Sequence, residues 1–303
     1  MIKFGRMSTF IIHLVGLAMA ITNYGGSFVV VPNDLFNAEG NAGNFAPFGL
    51  LRTTNSMRYQ QVYDAAQFSG LQAGEGWITR IFFRGDGTAK GSGTAFNIQI
   101  NFSTTLKVID GLSTVFSENV GVDDTSIFGP GSLFIRSSGG TPQPFDIFIT
   151  PTRPFYYNRS AGNLLLDVRN FEGQPPPFIP GLVIPAFDAS NTDGDGVSRV
   201  YADSVGAGTA TVVDSLGLVT GFEMWPTPKL TITQTTNSFV ITWPAEPQAF
   251  VFQTADSLKP SSVWQTITNG IGGDASVRSY TVPLDTGRSV QFFRLVCQTC
   301  RSR

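Results

Sequence analysis

The chain has 303 residues, of which 42% are hydrophobic and only 14% charged, with 20 Lys and Arg against 22 Asp and Glu for a formal net charge of −2. Charged residues usually make up about a quarter of a globular chain, and no Lys/Arg cluster appears that would track phosphates, which excludes nucleic acid as a partner. Its 33 glycines and 26 phenylalanines indicate a folded, turn-rich β protein, because a disordered chain carries few aromatics.

Residues 1–20 stand apart. Lys3 and Arg6 give a basic start, Phe10, Ile11, Ile12, Leu14, Val15 and Leu17 an apolar run, and Ala18-Met19-Ala20 a small-x-small ending. This is the pattern of a secretory signal peptide and predicts cleavage after Ala20. The run falls short of the roughly 20 apolar residues that a membrane span needs, so no transmembrane segment is expected after cleavage. The expected location is secreted, extracellular or cell surface. Cleavage shifts the net charge from −2 to −4 and removes His13, the single histidine. A Ser-His-Asp triad, a Cys-His pair and histidine-ligated zinc are then impossible.

Period-two alternation follows, without a convincing amphipathic helix. Strands are predicted at 27–31, 57–63, 77–84, 96–102, 132–136, 145–150, 163–169, 197–202, 209–213 and 218–225. In the strand at 96–102, Phe96, Ile98, Ile100 and Phe102 oppose Asn97, Gln99 and Asn101, so one face is buried and one wet. At 77–84, Trp77, Thr79, Ile81 and Phe83 oppose Ile78, Arg80, Phe82 and Arg84, which predicts Trp77 in the core. Turns at Gly85-Asp86-Gly87, Gly129-Pro130-Gly131, Gly139-Gly140-Thr141-Pro142 and Asp193-Gly194-Asp195-Gly196 separate the strands. Many short strands without intervening helices predict an all-β, jelly-roll-like β-sandwich over residues 21–224.

Trp225-Pro226-Thr227-Pro228 reads as a stiff linker at 225–228. Beyond it, shorter strands at 230–233, 239–243, 250–254, 263–267, 280–284 and 291–296 predict a smaller immunoglobulin/fibronectin III-like sandwich over 229–297, followed by a tail at 298–303. Trp243 and Trp264 are its core candidates. Cys297 and Cys300 close the chain. They follow a strand rather than opening a helix, so a local disulfide or an incidental pair is favoured over a redox motif.

Several blocks carry a family resemblance. Ser56-Met57-Arg58-Tyr59-Gln60-Gln61-Val62-Tyr63-Asp64-Ala65 is similar to a block in secreted bacterial β-sandwich proteins of the PEP-CTERM-associated type. Gly111-Leu112-Ser113-Thr114-Val115-Phe116, Val122-Asp123-Asp124-Thr125, Gly162 to Asn170 and Val197-Ser198-Arg199-Val200 resemble further blocks in the same order. The resemblance implies an exported β domain and carries over no catalytic residues, the family having no established function. At the position of that family's sorting anchor stands the second β module. Its Val240-Ile241-Thr242-Trp243-Pro244 and Phe292-Phe293-Arg294-Leu295 look like the first and last strands of C-terminal modules in other bacterial exported proteins. Release or non-covalent surface attachment is therefore expected instead of anchoring.

Candidate sites are few. Asn191, Asp193 and Asp195, each two residues from the next and followed by Gly196, resemble the first half of a calcium loop. Ala202 stands where a bidentate glutamate would complete it, and an Asp/Gly turn is the plainer reading. No cofactor other than that candidate calcium is expected. Hydrolysis of glycosides needs two carboxylates at a set separation, and only Glu223 among the six glutamates sits in a strand-like run. Tyr156 and Tyr157 are the candidate sugar-stacking residues, because adjacent strand residues face opposite sides and one must face outward. Arg58, Arg80, Arg84, Arg136, Arg169 and Arg199 fall within strands, either as a row for acidic polysaccharide or as solvent-facing partners of strand aspartates. The expected function is that of an exported or cell-surface protein, not an enzyme, serving adhesion, envelope or carbohydrate-related binding. Its expected partners are extracellular carbohydrate or other surface proteins. The alternatives are a secreted polysaccharide hydrolase working through carboxylates and a structural matrix component.

Overall fold

The computed structural model describes residues 25–49, 56–71, 74–172, 184–284 and 291–298; the predicted leader (1–20) and Cys300 lie outside them. In chain order the strands before the linker are β1 (Ser27–Val31), β2 (Ala42–Asn44), β3 (Met57–Tyr63), β4 (Glu75–Phe83), β5 (Gly91–Thr105), β6 (Thr125–Ser137), β7 (Ile147–Ile149) and β8 (Phe155–Asn158), then β9 (Asn163–Asn170), β10 (Phe187–Asn191), β11 (Val197–Ala202), β12 (Val212–Asp214), β13 (Leu216–Leu218) and β14 (Thr220–Trp225). The described helical elements of this region are short 3-10 turns at Asn33–Phe36, Ala65–Phe68 and Phe116–Glu118, and among the described residues no helix is long and apolar enough to cross a membrane.

These strands make an all-β sandwich. The first sheet runs β1-β14-β4-β7, with β8 also on β4; the second runs β12-β11-β3-β9-β5-β6; a small sheet, β13-β10-β2, extends the first layer. The strand pairs are antiparallel, as expected where hairpins and meanders replace helical crossovers. Inward residues at alternate positions build one core, including Ile81 and Phe83 of β4, Tyr59 and Tyr63 of β3, Ile98, Ile100 and Phe102 of β5, and Phe222 of β14. Aromatic edges interlock there, with Tyr63 and Phe68 on Phe222 at 5.0 and 5.4 Å between ring centres.

The outward face of the second sheet is also covered. Val62, Leu165 and Val200 pack beneath Leu112 and Phe116 of the β5–β6 connection. Under that cover, Asp167 accepts from Arg58 (2.7 Å) and Gln60 (2.8 Å), and Gln60 accepts from Asn119 (2.9 Å). The polar residues of this face are therefore bonded to one another, which offsets the loss of water around them.

Two breaks in alternation correct the strand readings. Glu223 pairs with Arg80 and Met224 with Ile78, so Thr79 is an extra residue on β4, and its hydroxyl donates to Glu223 Oε1 at 2.8 Å. Such a bulge inverts the facing of everything beyond it. Ile78 turns inward, and Trp77, expected in the core, turns outward and is only half-buried. On β5 the register slips between Ala95 and Ile98, and Asn97 takes φ +51°. Asn tolerates that left-handed conformation better than most residues, and Phe96 is left exposed at the irregularity.

After the linker come β15 (Thr231–Gln234), β16 (Ser238–Pro244), β17 (Phe250–Ala255), β18 (Gln265–Thr266), β19 (Ile271–Gly273), β20 (Val277–Pro283) and β21 (Phe292–Cys297). They form two sheets, β15-β16-β20-β19 and β18-β17-β21. The core is small: Ile241, Trp243 and Phe252 are buried, with Trp243 stacked on Phe252 at 4.5 Å. Trp264, the other core candidate, stands half-exposed beneath the Arg294 guanidinium, 4.1 Å from its ring centre. Cys297 is disulfide-bonded.

The β19–β20 turn is closed by Asp274, whose carboxylate accepts from Ser276 N and Oγ, both at 2.7 Å, and from Val277 N at 2.9 Å. These bonds to the charged form, the Ser276 hydroxyl first, hold its pKa below the ordinary carboxylate value of 3.8. A depressed folded pKa contributes stability that is present above the unfolded value and lost as pH falls through the folded one. Asp274→Asn is expected to remove that acid-sensitive component of the second module, read as the pH dependence of urea melts followed by Trp243 fluorescence between pH 2 and pH 5.

Candidate binding face

The solvent side of the first sheet is where aromatic residues collect. On one rung β1 places Phe28 beside Glu223 of β14 and Arg80 of β4. The next rung carries Gly221, Phe82 and Phe148. A Cβ on Gly221 would lie 2.5 Å from the Phe28 ring; its absence lets Phe28 lean across β14 to meet Phe82 at 5.2 Å, edge to face. Phe36, from the turn after β1, and Phe145, just before β7, flank Phe28 at 6.1 and 5.7 Å, and Phe148 lies 6.2 Å from Phe82. Phe28, Phe36 and Phe148 remain 40%, 48% and 57% exposed. Five phenylalanines thus form one patch on a sheet face that would ordinarily be polar.

Beside this patch sits a fixed charge pair. Glu223 accepts from Thr79 at 2.8 Å, from the Trp225 indole N–H at 3.1 Å and from Arg80 at 3.4 Å. The bulge at Thr79 supplies the first of these bonds and, by turning Trp77 outward, also creates the next rung. There Trp77 meets Tyr156 of β8 at 5.1 Å and Phe250 of the second module at 5.3 Å, and its indole N–H donates to Thr227 of the linker at 3.1 Å. This end of the face is engaged by the module junction. A cleft of about 200 Å³ adjoins it, lined among others by Glu75, Gly76, Met224 and Trp225.

At the opposite end the face closes over Arg84. Its guanidinium, 1% exposed, donates to Asp188 at 2.8 Å, to Leu35 O at 2.9 Å and to Ala38 O, and lies 4.8 Å beneath the centre of the Phe145 ring. Asp188 takes Gly40 N on its other oxygen at 2.8 Å. Burial pushes the Asp188 carboxyl up, while Arg84 and Gly40 act the other way. Glu39 and Asp86 bring an oxygen each to within 4.8 Å of Asp188. Burial, then the charge of Glu39, raises the Asp86 pKa. These are the described carboxylates whose geometry could share a hard cation. Glu39, however, already accepts from Gln143 N at 2.6 Å and Gly87 N at 3.3 Å, and Asp188 is neutralised by Arg84.

The residues singled out from the sequence fall as follows. Tyr156 faces outward against Trp77, whereas Tyr157 is buried and donates its hydroxyl to Gly162 O at 2.9 Å; the two do not form one stacking platform. In the Asn191–Asp195 loop, Asn191 N donates to Asn41, Asp193 accepts from the Ser215 hydroxyl, Asp195 accepts from Val197 N at 3.1 Å, and Gly194 N donates to Asp110 at 2.9 Å. These bonds fix the loop as a turn, and Asp195 Oδ2 is buried without a hydrogen-bond partner among the described residues. Five of the six strand arginines pair with acids, Arg58 with Asp167, Arg80 with Glu223, Arg84 with Asp188, Arg199 with Asp214 at 2.8 Å and Arg169 with Asp167 at 4.0 Å, and Arg136 makes no ion pair among the described residues. Arg84 and Arg199 are buried, not solvent-facing. The phenylalanine patch escaped sequence reading because its members come from four separate segments. The available signal was parity: Phe82 shares the outward phase of Arg80 and Arg84.

Comparison with known proteins returned no matching family model, curated relative or solved structure.

Proposed function

We propose that the chain is an exported, non-enzymatic binding protein of the bacterial cell surface that makes its contacts through the outer face of the first sheet. One observation carries the reading: five clustered phenylalanines on a solvent-facing sheet surface, three of them 40–57% exposed. Burial of such aromatic surface is a main source of contact energy, and the largest apolar patch of a folded protein is often functional. Export is supported by the leader-like residues 1–20 and by the resemblance to secreted PEP-CTERM-associated proteins. Loss of His13 with the leader, and the commitment of Asp188 to Arg84, support binding over catalysis.

The test is retention on isolated bacterial envelopes. Labelled chain beginning at Ile21 is expected to bind saturably, and Phe28→Ser/Phe148→Ser, with an unchanged melting temperature, to bind more than about tenfold more weakly, as for loss of two hot-spot rings. Equal retention of the two proteins would refute the assignment of this face. Release of reducing sugar from a polysaccharide panel would replace the reading with a hydrolase.

A further inference from the structure

We propose that the occupant of the phenylalanine face is the same face of a second copy of this chain, an inference that rests on the reading of that face as the binding surface. Its charges are complementary to themselves. Arg80 and Glu223 stand side by side on the Phe28 rung, 50% and 27% exposed. A two-fold axis through the face sets Arg80 of each copy against Glu223 of the other, so each charge gains a second counter-ion and none is left opposite its like.

Area sets the strength to expect. An aromatic side chain carries about 150–250 Å², so Phe28, Phe36 and Phe148 at their observed exposures together offer on the order of 250 Å² of apolar surface per copy. A stable interface buries roughly 800 Å² per partner. The rings therefore supply a central hot-spot cluster with a polar rim to one side, the anatomy of a reversible dimer rather than an obligate one. Two such faces meet as stacked sheets do, about 10 Å apart. The junction end of the face, where Trp77 is engaged by Phe250 and Thr227, limits how far the copies overlap.

Sedimentation velocity from low micromolar to near-millimolar protein tests the proposal. Wild type is expected to form a concentration-dependent dimer, and Phe28→Ser/Phe148→Ser to associate more than about tenfold more weakly. Arg80→Glu and Glu223→Arg, each checked for an unchanged fold by circular dichroism, are expected to be monomeric alone. Mixed, they are expected to pair, because one copy then presents two acids and the other two bases; misfolding could not produce that recovery. A wild type that stays monomeric throughout, a dimer that persists in the phenylalanine variant, or folded charge variants that fail to pair on mixing would each overturn it. If wild type is monomeric while the phenylalanine variant still loses envelope retention, the face remains the binding surface and only the second-copy partner falls.

Discussion

Arg84→Ala is expected to cost about 3–5 kcal/mol, the range for removing one member of a buried ion pair. In the wild type the guanidinium is almost wholly buried and bonds Asp188, Leu35 O and Ala38 O. Alanine leaves the Asp188 carboxylate in the interior with Gly40 N as its remaining donor, strips two carbonyls of their donor, and opens a void beneath Phe145. For a sandwich of this size the loss corresponds to a fall of roughly 6–20 °C in melting temperature. The penalty also has a pH signature. Burial already raises the Asp188 pKa against the pull of Arg84, and without Arg84 it rises further. The folded variant then binds a proton that the unfolded chain has released, so its stability increases as pH falls through the raised value. The deficit relative to wild type should be largest at neutral pH and shrink toward pH 4. Replacing both partners, as in Arg84→Met/Asp188→Leu, is expected to recover much of the loss. A deficit below about 1 kcal/mol at pH 7 would mean that water reaches Asp188 and that the pair is not the closed site described.

Much of the sandwich was legible because its strands obey period two. The strand at 57–63 was expected with the bounds of β3, and the one at 197–202 with those of β11. Each is held by register, since a one-residue slip would exchange its two faces. What escaped was whatever breaks the period or joins distant segments. The bulge at Thr79 looks in sequence like ordinary alternation, and only pairing with Glu223 and Met224 reveals the extra residue. Trp77 was misplaced for that reason. Arg84 was assigned to solvent because alternation gives a direction and says nothing of what lies there; residues 35–40 and Phe145 come over it from elsewhere in the chain. The binding face was hidden by the same limit. Phe28, Phe36, Phe82, Phe145 and Phe148 each read as a single aromatic, and three-dimensional pairing makes them a patch.

The same reasoning marks Gln61 as a core residue whose polarity matters more than its volume. Strand β3 faces hydrophobic packing on both sides, and Gln61 lies on the inward side between Tyr59 and Tyr63, fully buried. Its amide acts as a missing piece of strand. Oε1 accepts from Leu218 N at 2.8 Å and Nε2 donates to Leu218 O at 2.9 Å, tying the second sheet to β13 across the core. Oε1 also accepts from the Tyr59 hydroxyl at 2.6 Å. Burial holds the pKa of that hydroxyl well above its ordinary value, so it is a donor at any pH where the protein folds. Gln61→Ala removes the acceptor that the Leu218 amide and the Tyr59 hydroxyl share, at about 1–3 kcal/mol for each bond lost. With the void added, a total of about 4–6 kcal/mol is expected from urea melts. Tyr59→Phe removes one hydroxyl from the same acceptor and should cost about 1 kcal/mol. In the double variant the hydroxyl can no longer be orphaned. Its loss should therefore fall short of the sum of the singles by about 1–2 kcal/mol. Strict additivity would show that Gln61 and Tyr59 act separately and that the cross-core tie is not a network.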